Sequence, residues 1–447
     1  MLRLKNLIRA FRSQLGWLVP GMGVKRWLGL LVFGALLIGL GLLLVLFEFE
    51  HLPEAWAVVA LNARQYLARL VVAGLIGLAG LICMLVAVAQ INRTLLQPFV
   101  RPGQNVAHAV SEHRRRRRGP KVVAIGGGTG LSTLLRGLKK HTSNITAIVT
   151  VADDGGSSGR LRHALGVLPP GDFRNCLAAL ADDESLITQL FQYRFGGGDD
   201  LGGHSFGNLF ITAMTAVSGS FERGLIESSH VLNIRGQVLP STLRDVTLMG
   251  ELVNDDRQVN VIEGESKITD APGAIQRVFL RPDDPPAYPG AIRAILDADL
   301  IVLGPGSLYT SLMPNLLVPD LAEAIAASRA VKVYVCNTAT QPGESDNYSV
   351  LDHSLAIERH TRPGLFPLVL ANSNQRGALL PNLTWVRLDP YVNGAHPLRV
   401  LTADVADEHH PWRHDPDRLA TALMDVLLNS QELTEITVDG RQRIQNG

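Results

Sequence analysis

The chain has 447 residues, of which 46% are hydrophobic and 19% are charged, with a formal net charge of +1. This composition is too apolar and too weakly charged for an intrinsically disordered protein. No unit of about 20–50 residues recurs along the chain, which excludes a repeat architecture. The three cysteines, Cys83, Cys176 and Cys336, form no Cys-x-x-Cys pair, so the sequence favours neither a disulfide framework nor a thiolate zinc site.

The small net charge conceals two parts of opposite sign. Residues 1–120 contain fifteen Lys and Arg against four Asp and Glu, whereas the remaining residues contain 27 Lys and Arg against 37 Asp and Glu. The basic part lies beside long apolar runs, which favours a membrane as its partner. The acidic remainder argues against a broad surface for nucleic acid. We therefore expect a lipid bilayer, and no nucleic acid, among the partners.

Two apolar runs near the N-terminus, residues 28–47 and 70–89, each contain twenty residues without a charge. About 20 apolar residues cross the hydrocarbon core of a bilayer as an α-helix. A cleaved signal peptide and a buried hairpin of a soluble protein are the alternatives, but the first run is longer than the usual apolar core of a signal peptide. The sequence therefore predicts two transmembrane helices within an N-terminal region of residues 1–118.

Basic residues flank the pair of apolar runs on its outer sides. The first 26 residues carry six Lys and Arg and no acid, and five consecutive arginines occupy positions 114–118 after the second run. Because basic flanks stay in the cytoplasm, we predict a two-pass protein of the cell membrane, with the N-terminus and residues 119–447 on the cytoplasmic side. The arginine run is either a site for anionic headgroups or a solvated linker.

From residue 121 onward, short apolar strands alternate with helices. This alternation predicts an α/β body with a mostly parallel sheet that is covered by helices on both faces. The stretch 231–284 is interpreted as a small β-rich insertion, and residues 405–416, with His409, His410 and His414, as an exposed loop. Strands are predicted at 121–125, 145–151, 300–304, 331–337, 365–372 and 383–388, and helices at 131–140, 173–182, 185–194, 205–217, 289–298, 319–329, 349–360 and 417–429.

Ligands of such sheets bind at the carboxyl ends of the strands, and four turns expected there carry unusual residues. The first, GGGTG at 126–130, lacks the lysine of a P-loop and the last glycine of a GxGxxG fingerprint. The others are DDGGSSGR at 153–160, PGDFRN at 170–175 and GPGSLYTS at 304–311. Backbone N–H groups in glycine turns that open a helix favour an anionic ligand.

Several side chains in these turns suit a nucleotide. Asp153 and Asp154 have two interpretations, as acceptors from ribose hydroxyls or as oxygen ligands of Mg²⁺. Arg160 and Arg162 are suited to neutralise phosphate, and Tyr309 to stack on a base or a sugar. Together, the turns, arginines and acid pair indicate a diphosphate-bearing ligand such as a nucleotide or a nucleotide sugar.

Other residues leave alternatives open. Asp172 is interpreted either as a helix cap or as a ligand contact, and Arg174 and Asn175 are expected to point from the same first turn. His204 and Asn208, in GHSFGN at 203–208, are candidates for substrate contact or proton transfer, with a structural histidine as the alternative. A dinucleotide-dependent oxidoreductase is a further alternative, but the sequence lacks the GxGxxG fingerprint that is typical of such enzymes.

Six segments of the body, in this order, resemble the family of 2-phospho-L-lactate transferase (CofD) and gluconeogenesis factor (YvcK). They are KVVAIGGGTGLSTLLRGLK, ITAIVTVADDGGSSGRLR, PPGDFRNCLAAL, GGHSFGNL, GPGSLYTSLMPNLLVP and QPGESDNY. The resemblance covers residues 121–360 closely, and its longer strings look like the gluconeogenesis-factor branch. It implies a Rossmann-like three-layer fold for the body. Residues 1–118 have no counterpart in these six segments.

The two branches of this family imply different roles. The transferase branch implies Mg²⁺-dependent transfer of a lactyl-phosphate group from a guanosine diphosphate carrier to a deazaflavin, with Asp153 and Asp154 as the candidate catalytic and metal-binding residues. The gluconeogenesis-factor branch implies binding of a UDP-sugar such as UDP-N-acetylglucosamine, in support of cell-wall synthesis and cell shape. We expect the UDP-sugar-binding role, in a membrane-tethered protein, and keep the transferase role as the alternative. A homo-oligomer is compatible with either role. By motif, the nucleotide-sugar site would use Gly127, Gly128, Thr129, Asp153, Asp154, Ser157, Ser158, Arg160, Asp172, Asn175, Asn208, Ser307 and Tyr309.

Overall fold

The chain divides into two compact units, Met1–Arg114 and Arg115–Gly447, which we call the N-terminal unit and the body. The structure is a computed structural model, and it describes residues 24–50, 56–96, 116, 118–182, 184–196, 201–254, 256–388 and 398–445. Three of the five arginines at 114–118 therefore lie outside the described residues, since only residues 116 and 118 fall within these ranges.

The N-terminal unit contains two long helices, α1 (Val24–Glu50) and α2 (Trp56–Leu96), that pack along each other. Within them, Val24–Phe47 and Leu67–Thr94 are long and apolar enough to cross a membrane, and they contain the predicted spans. The helices approach closely at glycines, because a Cβ on Gly34 would lie only 2.7 Å from the carbonyl oxygen of Gly80, and the reverse holds as well. Small residues at this crossing therefore let the two backbones touch.

The body is built on a seven-stranded sheet in which every described pairing is parallel, with the strand order β10-β9-β8-β7-β1-β2-β3. The central strands are short, apolar and buried along their whole length, which is typical of a parallel sheet covered on both faces. The predicted α/β fold class is confirmed. The strands are β1 (Val122–Gly126), β2 (Ile145–Val149), β3 (Gln237–Pro240), β7 (Leu300–Leu303), β8 (Val331–Val335), β9 (Leu368–Asn372) and β10 (Arg399–Ala403).

The chain leaves the centre of this sheet in two directions. From β1 it continues outward through β2 to β3, and later it returns to β7 on the other side of β1 before it continues to β8, β9 and β10. In register, Val122 of β1 pairs with Ile145 of β2 on one side and with Leu300 of β7 on the other. The boundary between β1 and β7 is therefore the topological switch point, where α/β sheets bind ligands.

Helices surround the sheet, and local chemistry explains several of their starts. Ser205 caps α7 by accepting a hydrogen bond from the backbone N–H of Asn208, and Pro416 is a first-turn proline of α14. The helices of the body are α3 (Gly128–Leu138), α4 (Gly156–Leu165), α5 (Gly171–Leu180), α6 (Glu184–Gln192), α7 (Phe206–Ser218), α8 (Phe221–Val231), α9 (Glu265–Ile268), α10 (Pro289–Leu296), α11 (Met313–Leu316), α12 (Pro319–Ala327), α13 (Val350–His360) and α14 (Pro416–Gln445).

The predicted β-rich insertion exists but is smaller than 231–284. Strands β4 (Thr247–Val253), β5 (Val259–Glu263) and β6 (Ala274–Arg281) form a separate antiparallel sheet in the order β5-β4-β6, and α9 lies between β5 and β6. The earlier strand of this stretch, β3, instead extends the main sheet in parallel with β2. Three of its four residues are buried, which explains why it joins the larger core.

Three predictions of secondary structure were wrong or incomplete. Residues 383–388 form only isolated bridges at Trp385 and Arg387, because Val386 is the one buried residue of this segment. Beyond β9 the edge of the sheet is β10, which the sequence did not predict. The turn DDGGSSGR opens helix α4, with Gly159 packed so closely on the carbonyl of Asp154 that a side chain would overlap it.

Candidate functional site

A cleft of about 630 Å³ lies at the carboxyl ends of the strands, over the switch point between β1 and β7. This volume lies within the range of small-molecule and cofactor sites. The turns after β1 and β7, the segment after β8, helices α5, α6 and α9, and the segment before α14 form its walls. Of the predicted binding residues, those that line the cleft are Gly127, Gly128, Thr129, Asn175 and Ser307.

The glycine turns that follow β1 and β7 touch each other at this cleft. A Cβ on Gly130 would overlap the carbonyl group of Pro305, so a residue with a side chain would force the turns apart. Gly128 adopts φ +63°, in the left-handed region that favours glycine. In the second turn, Gln341 Nε2 donates to Ser307 Oγ at 2.9 Å, which fixes the serine hydroxyl at the wall. Since helix α3 also begins here, its backbone N–H groups and dipole favour an anion.

Three predicted aspartates lie behind these turns and bind backbone N–H groups. Asp153 Oδ1 accepts from Gly155 at 2.9 Å, Asp154 Oδ1 accepts from Ser266 at 2.9 Å, and Asp172 accepts from Gly128. Burial, followed by the nearby charge of Asp153, raises the pKa of Asp172 to about 6 against the opposing effect of its hydrogen bond with Gly128. Burial likewise raises the pKa of Asp153. The two carboxyl groups therefore share a space in which holding both charges is costly.

Two further carboxyl groups reach the cleft, and sequence reasoning missed both as site residues. Glu344 is buried, accepts from the backbone N–H of Tyr309 at 3.1 Å and from Thr310 Oγ1 at 2.8 Å, and has a pKa that burial raises. Glu265 begins α9 and is half-buried, and burial, followed by the charges of Asp153 and other acids, raises its pKa to about 8. Glu344 lies in the segment QPGESDNY, which was a signal, whereas no local pattern marked Glu265.

Four predicted residues of the GGSSGR and GHSFGN segments form a buried hydrogen-bond network. Asn208 Nδ2 donates to Ser157 Oγ at 3.1 Å and to Ser158 Oγ at 3.4 Å, and His204 Nδ1 lies 3.0 Å from Ser157 Oγ. All four side chains are buried, and burial lowers the pKa of His204. These residues join α4 to α7 and lie outside the lining of the cleft.

The arginines of the site have separate partners. Arg174 lines the cleft, and its Nη1 donates to Ser205 Oγ at 2.7 Å. Arg160 is exposed and donates to a backbone carbonyl, outside the lining. Arg162 is only 8% exposed and pairs with Asp245 at 2.5 Å. The expectation that Arg162 neutralises phosphate is therefore wrong, because this side chain is committed to the insertion.

Tyr309 does not present its ring to the cleft. Its side chain is 2% exposed, its hydroxyl lies 2.9 Å from that of Tyr348, and its ring packs edge-on against Tyr348 and His360. Burial raises the pKa of the phenol. The predicted stacking of Tyr309 on a base or sugar is corrected, since the ring is part of the core.

The histidine-rich segment before α14 is only partly the exposed loop that the sequence predicted. His409 and His410 are exposed, but His414 is buried, lines the cleft and places Nε2 3.2 Å from the carbonyl oxygen of Cys336. Burial lowers the pKa of His414 to about 4, so the imidazole is neutral at pH 7. Trp412 lines the cleft beside it and was likewise not predicted.

The acid pair of Asp153 and Asp154 is the candidate site for a metal ion. Among the residues that the structure describes, no group of three or more His, Cys, Asp and Glu side chains is arranged to hold a metal. Asp153 and Asp154 each have one oxygen engaged with a backbone N–H. The remaining oxygens fit Mg²⁺ only if phosphate and water oxygens complete its coordination shell. Mg²⁺ in proteins is commonly bound in this way, by one or two carboxylates with phosphate and water.

Comparisons with known proteins agree with the fold. Residues 122–430 match the model of the family described as 2-phospho-L-lactate transferase CofD. The gluconeogenesis factor of Bacillus subtilis is 47% identical over 315 residues, which cover 69% of this chain and 98% of that protein. A crystal structure of a Bacillus halodurans protein is 45% identical, with a TM-score of 0.65, and covers 69% of this chain and 100% of its own.

In other relatives, the matched region extends beyond the body into the N-terminal unit. A protein of Nostoc sp. that is also named as a gluconeogenesis factor is 48% identical over 430 residues, or 91% of each chain. Because the body holds only about three quarters of the residues, this match includes a large part of residues 1–114. The N-terminal unit is therefore shared with some relatives and exceeds the extent of the Bacillus proteins. The chain belongs to the family of 2-phospho-L-lactate transferase CofD and gluconeogenesis factor.

Proposed function

We propose that the cleft binds a UDP-sugar of the UDP-N-acetylglucosamine class and that the protein acts as a membrane-tethered gluconeogenesis factor in support of cell-wall synthesis and cell shape. The observation that carries this proposal is the contact between the two glycine turns at the switch point. Gly130 and Pro305 bring the turn after β1 against the turn after β7, beside the N-terminus of α3. Backbone N–H groups in such a position suit a diphosphate.

The rest of the cleft supports a ligand larger than a diphosphate. Hydroxyl, amide and carboxyl side chains line it, including Asn175, Ser307, Gln341 and Glu265. Such groups hydrogen-bond ribose and sugar hydroxyls, whereas a site for an apolar ligand would expose few of them. The name of the relatives from Nostoc and Bacillus subtilis favours the gluconeogenesis-factor role.

Ligand-dependent stabilisation of the body tests the proposed ligand. The Bacillus relatives correspond in extent to the body, so residues 115–447 are suited to be produced alone. Thermal melting is measured with UDP-N-acetylglucosamine, UDP-glucose, GDP, NAD⁺ and Mg²⁺. A ligand at 100 times its Kd stabilises by about 2.7 kcal/mol, which moves Tm by several degrees. A shift with UDP-sugars and intact nucleotide sugar after incubation support the proposal, whereas a shift with NAD⁺ alone contradicts it.

The tether is the second part of the proposal. Helices α1 and α2 contain two candidate spans, and the basic flanks predict that both ends are cytoplasmic. Tags at the two ends of the full chain are expected to resist protease in intact spheroplasts and to be cleaved in inverted vesicles. Residues 115–447 alone are expected in the soluble fraction. Cleavage of either tag in intact spheroplasts contradicts the two-pass arrangement. Removal of the first helix from the mature protein, as for a signal peptide, contradicts it as well.

A Mg²⁺-dependent transferase that uses a nucleotide-activated donor is the alternative function. The adjacent carboxyl groups of Asp153 and Asp154 behind the glycine turns favour it, since Mg²⁺ there would neutralise charge on a leaving phosphate. The name of the matched family model is consistent with this reaction. Mg²⁺-dependent product from such a donor, lost in Asp153→Asn, would establish the transferase. A rate that is unchanged in this variant would contradict a metal at the pair.

A further inference from the structure

We infer that Glu265 is the residue that recognises the sugar hydroxyls of the nucleotide sugar, and that Asp154 acts as a positioning residue that holds Glu265 in place. The inference rests on the proposed function and deepens it. It assigns a ligand contact to the insertion, outside the glycine turns. It also gives one member of the acid pair a role that needs no metal.

The first step of the argument is the contact between Asp154 and the start of α9. Asp154 Oδ1 accepts a hydrogen bond from the backbone N–H of Ser266 at 2.9 Å. The preceding Gly264 has φ +105°, a conformation that favours glycine, and a Cβ there would overlap Asp154 Oδ2. The carboxyl group therefore lies directly against the residues that flank Glu265 on both sides.

The second step is the fixation of the other end of the same turn. Ile268, the last residue of α9, is fully buried in the core. The following Thr269 packs against the loop after β8, because a Cβ on Gly343 would overlap its carbonyl oxygen. Gly343 has φ +78°, so glycine is favoured at this contact also. The turn is thus held between the loop after β2 and the loop after β8, and such double support restricts the position of its side chains.

The third step is the direction of Glu265. Glu265 and Thr269 both line the cleft, on the wall that the insertion contributes. The acids near Glu265 are Asp153 and Asp154 after β2, Asp172 of α5 and Glu344 after β8. A diphosphate would be repelled from this acidic wall and is better placed at the glycine turns. Carboxyl oxygens are instead strong acceptors for hydroxyl groups, which places the sugar of the ligand at Glu265.

A comparison of two ligands separates this role from general binding. The full chain in detergent is titrated with UDP-N-acetylglucosamine and with UDP, which lacks the sugar. The titrations are made at pH 9, above the raised pKa of Glu265, where loss of a hydrogen bond to its carboxylate weakens binding by about ten- to a hundredfold. We expect Glu265→Ala to lose that much affinity for the nucleotide sugar and to bind UDP within about threefold of the unmodified chain. Lys267→Ala, an exposed neighbour on the same turn, is the matched control.

Two variants of Asp154 test the positioning role. Asp154→Asn retains an oxygen that accepts from Ser266, so its preference for the nucleotide sugar over UDP is expected to remain. Asp154→Ala removes the acceptor and is expected to lose the preference as Glu265→Ala does, with faster hydrogen exchange in the peptide 264–269. If Mg²⁺ strengthens binding of the nucleotide sugar to the unmodified chain, and both Asp154 variants lose this effect of Mg²⁺ along with their affinity, then Asp154 is a metal ligand and the inference is wrong.

The outcomes also distinguish this inference from the proposed function. If the unmodified chain binds UDP and the nucleotide sugar but Glu265→Ala weakens both equally or neither, the cleft is the nucleotide site and Glu265 has no sugar contact. If the unmodified chain binds neither probe, the proposed function fails, and the sugar contact fails with it. Slower or unchanged exchange at 264–269 in Asp154→Ala would contradict the positioning role without any ligand.

Discussion

Protonation of His414 is expected to destabilise the body by about 2 kcal/mol at pH 5, relative to pH 7.5. The imidazole is buried beside the cleft, and burial lowers its pKa from 6.5 to about 4. Between these two values the unfolded chain binds a proton that the folded chain does not bind. The free energy of unfolding therefore falls as the pH decreases from 6.5 toward 4. Over the whole window, at about 1.4 kcal/mol per pKa unit, the effect approaches about 3 kcal/mol.

The pH dependence of the unmodified body does not isolate this effect, because Asp172 opposes it. Burial raises the pKa of Asp172 from 3.8 to about 6, so the folded chain takes up a proton there before the unfolded chain does. Acidification through this range stabilises the body by about 1 kcal/mol at pH 5. A difference between two variants at each pH removes this and every other shared contribution.

The assay is urea unfolding of residues 115–447 at pH 7.5 and 5.0, for the unmodified body and for His414→Gln. Glutamine retains an N–H donor for the carbonyl of Cys336 and does not titrate. We expect the stability advantage of histidine over glutamine to shrink by about 2 kcal/mol at pH 5.0. His409→Gln, at an exposed position, should change in parallel with the unmodified body. A constant difference between His414 and its glutamine variant at the two pH values would refute the burial argument.

Three further substitutions test separate parts of the structure. Gly130→Ala, which places a Cβ on the carbonyl of the second glycine turn, should cost about 1–3 kcal/mol in urea unfolding and abolish ligand-induced melting shifts; Gly196→Ala, with open space around it, should change neither. Tyr309→Phe should cost about 1 kcal/mol and leave the Kd for nucleotide sugar unchanged, since the hydroxyl is hydrogen-bonded to Tyr348 in the core; a large rise in Kd would show that this hydroxyl contacts the ligand. Arg162→Met should destabilise the body by about 2 kcal/mol or more, because the buried guanidinium also donates to the carbonyl of Val246, whereas Arg160→Met should stay within about 0.5 kcal/mol; equal stability would show that the contacts of Arg162 are not structural.

The sequence was sufficient to predict the α/β class and most elements of the sheet, because those features have local periodic signals. β-branched apolar runs such as 121–125 and 145–151 predicted β1 and β2, and the glycine turn after the first of them predicted the cleft wall. The failures have a common physical cause. Residues 383–388 have the alternation of a strand, but the edge position that a strand would fill is taken by β10, and no local pattern records that competition.

The site shows the same limit at the level of single side chains. Asp154 and Tyr309 lie in the right segments, yet their partners come from positions 112 and 39 residues away along the chain, Ser266 and Tyr348. A carboxylate that follows a strand of a nucleotide-binding fold is compatible with three roles: an acceptor from ribose hydroxyls, a metal ligand or an acceptor from a backbone N–H. The sequence does not distinguish them, since all three use the same oxygens. The contact with the insertion has no local signal, because α9, whose Ser266 donates to Asp154, comes from a segment between β5 and β6.

That dependence gives the insertion a reason to be present in the body. In the proposed function, the parallel sheet and its glycine turns position the diphosphate, since they supply backbone N–H groups and a helix N-terminus at the switch point. The sugar beyond the diphosphate needs hydrogen-bond acceptors of its own. A short turn that is held by Asp154 on one side and by Gly343 on the other adds the carboxyl group of Glu265 to that wall. If so, the glycine turns of the sheet determine the affinity for the nucleotide, and the insertion determines the preference for the sugar. Affinity for UDP and preference for the nucleotide sugar should therefore respond to different substitutions.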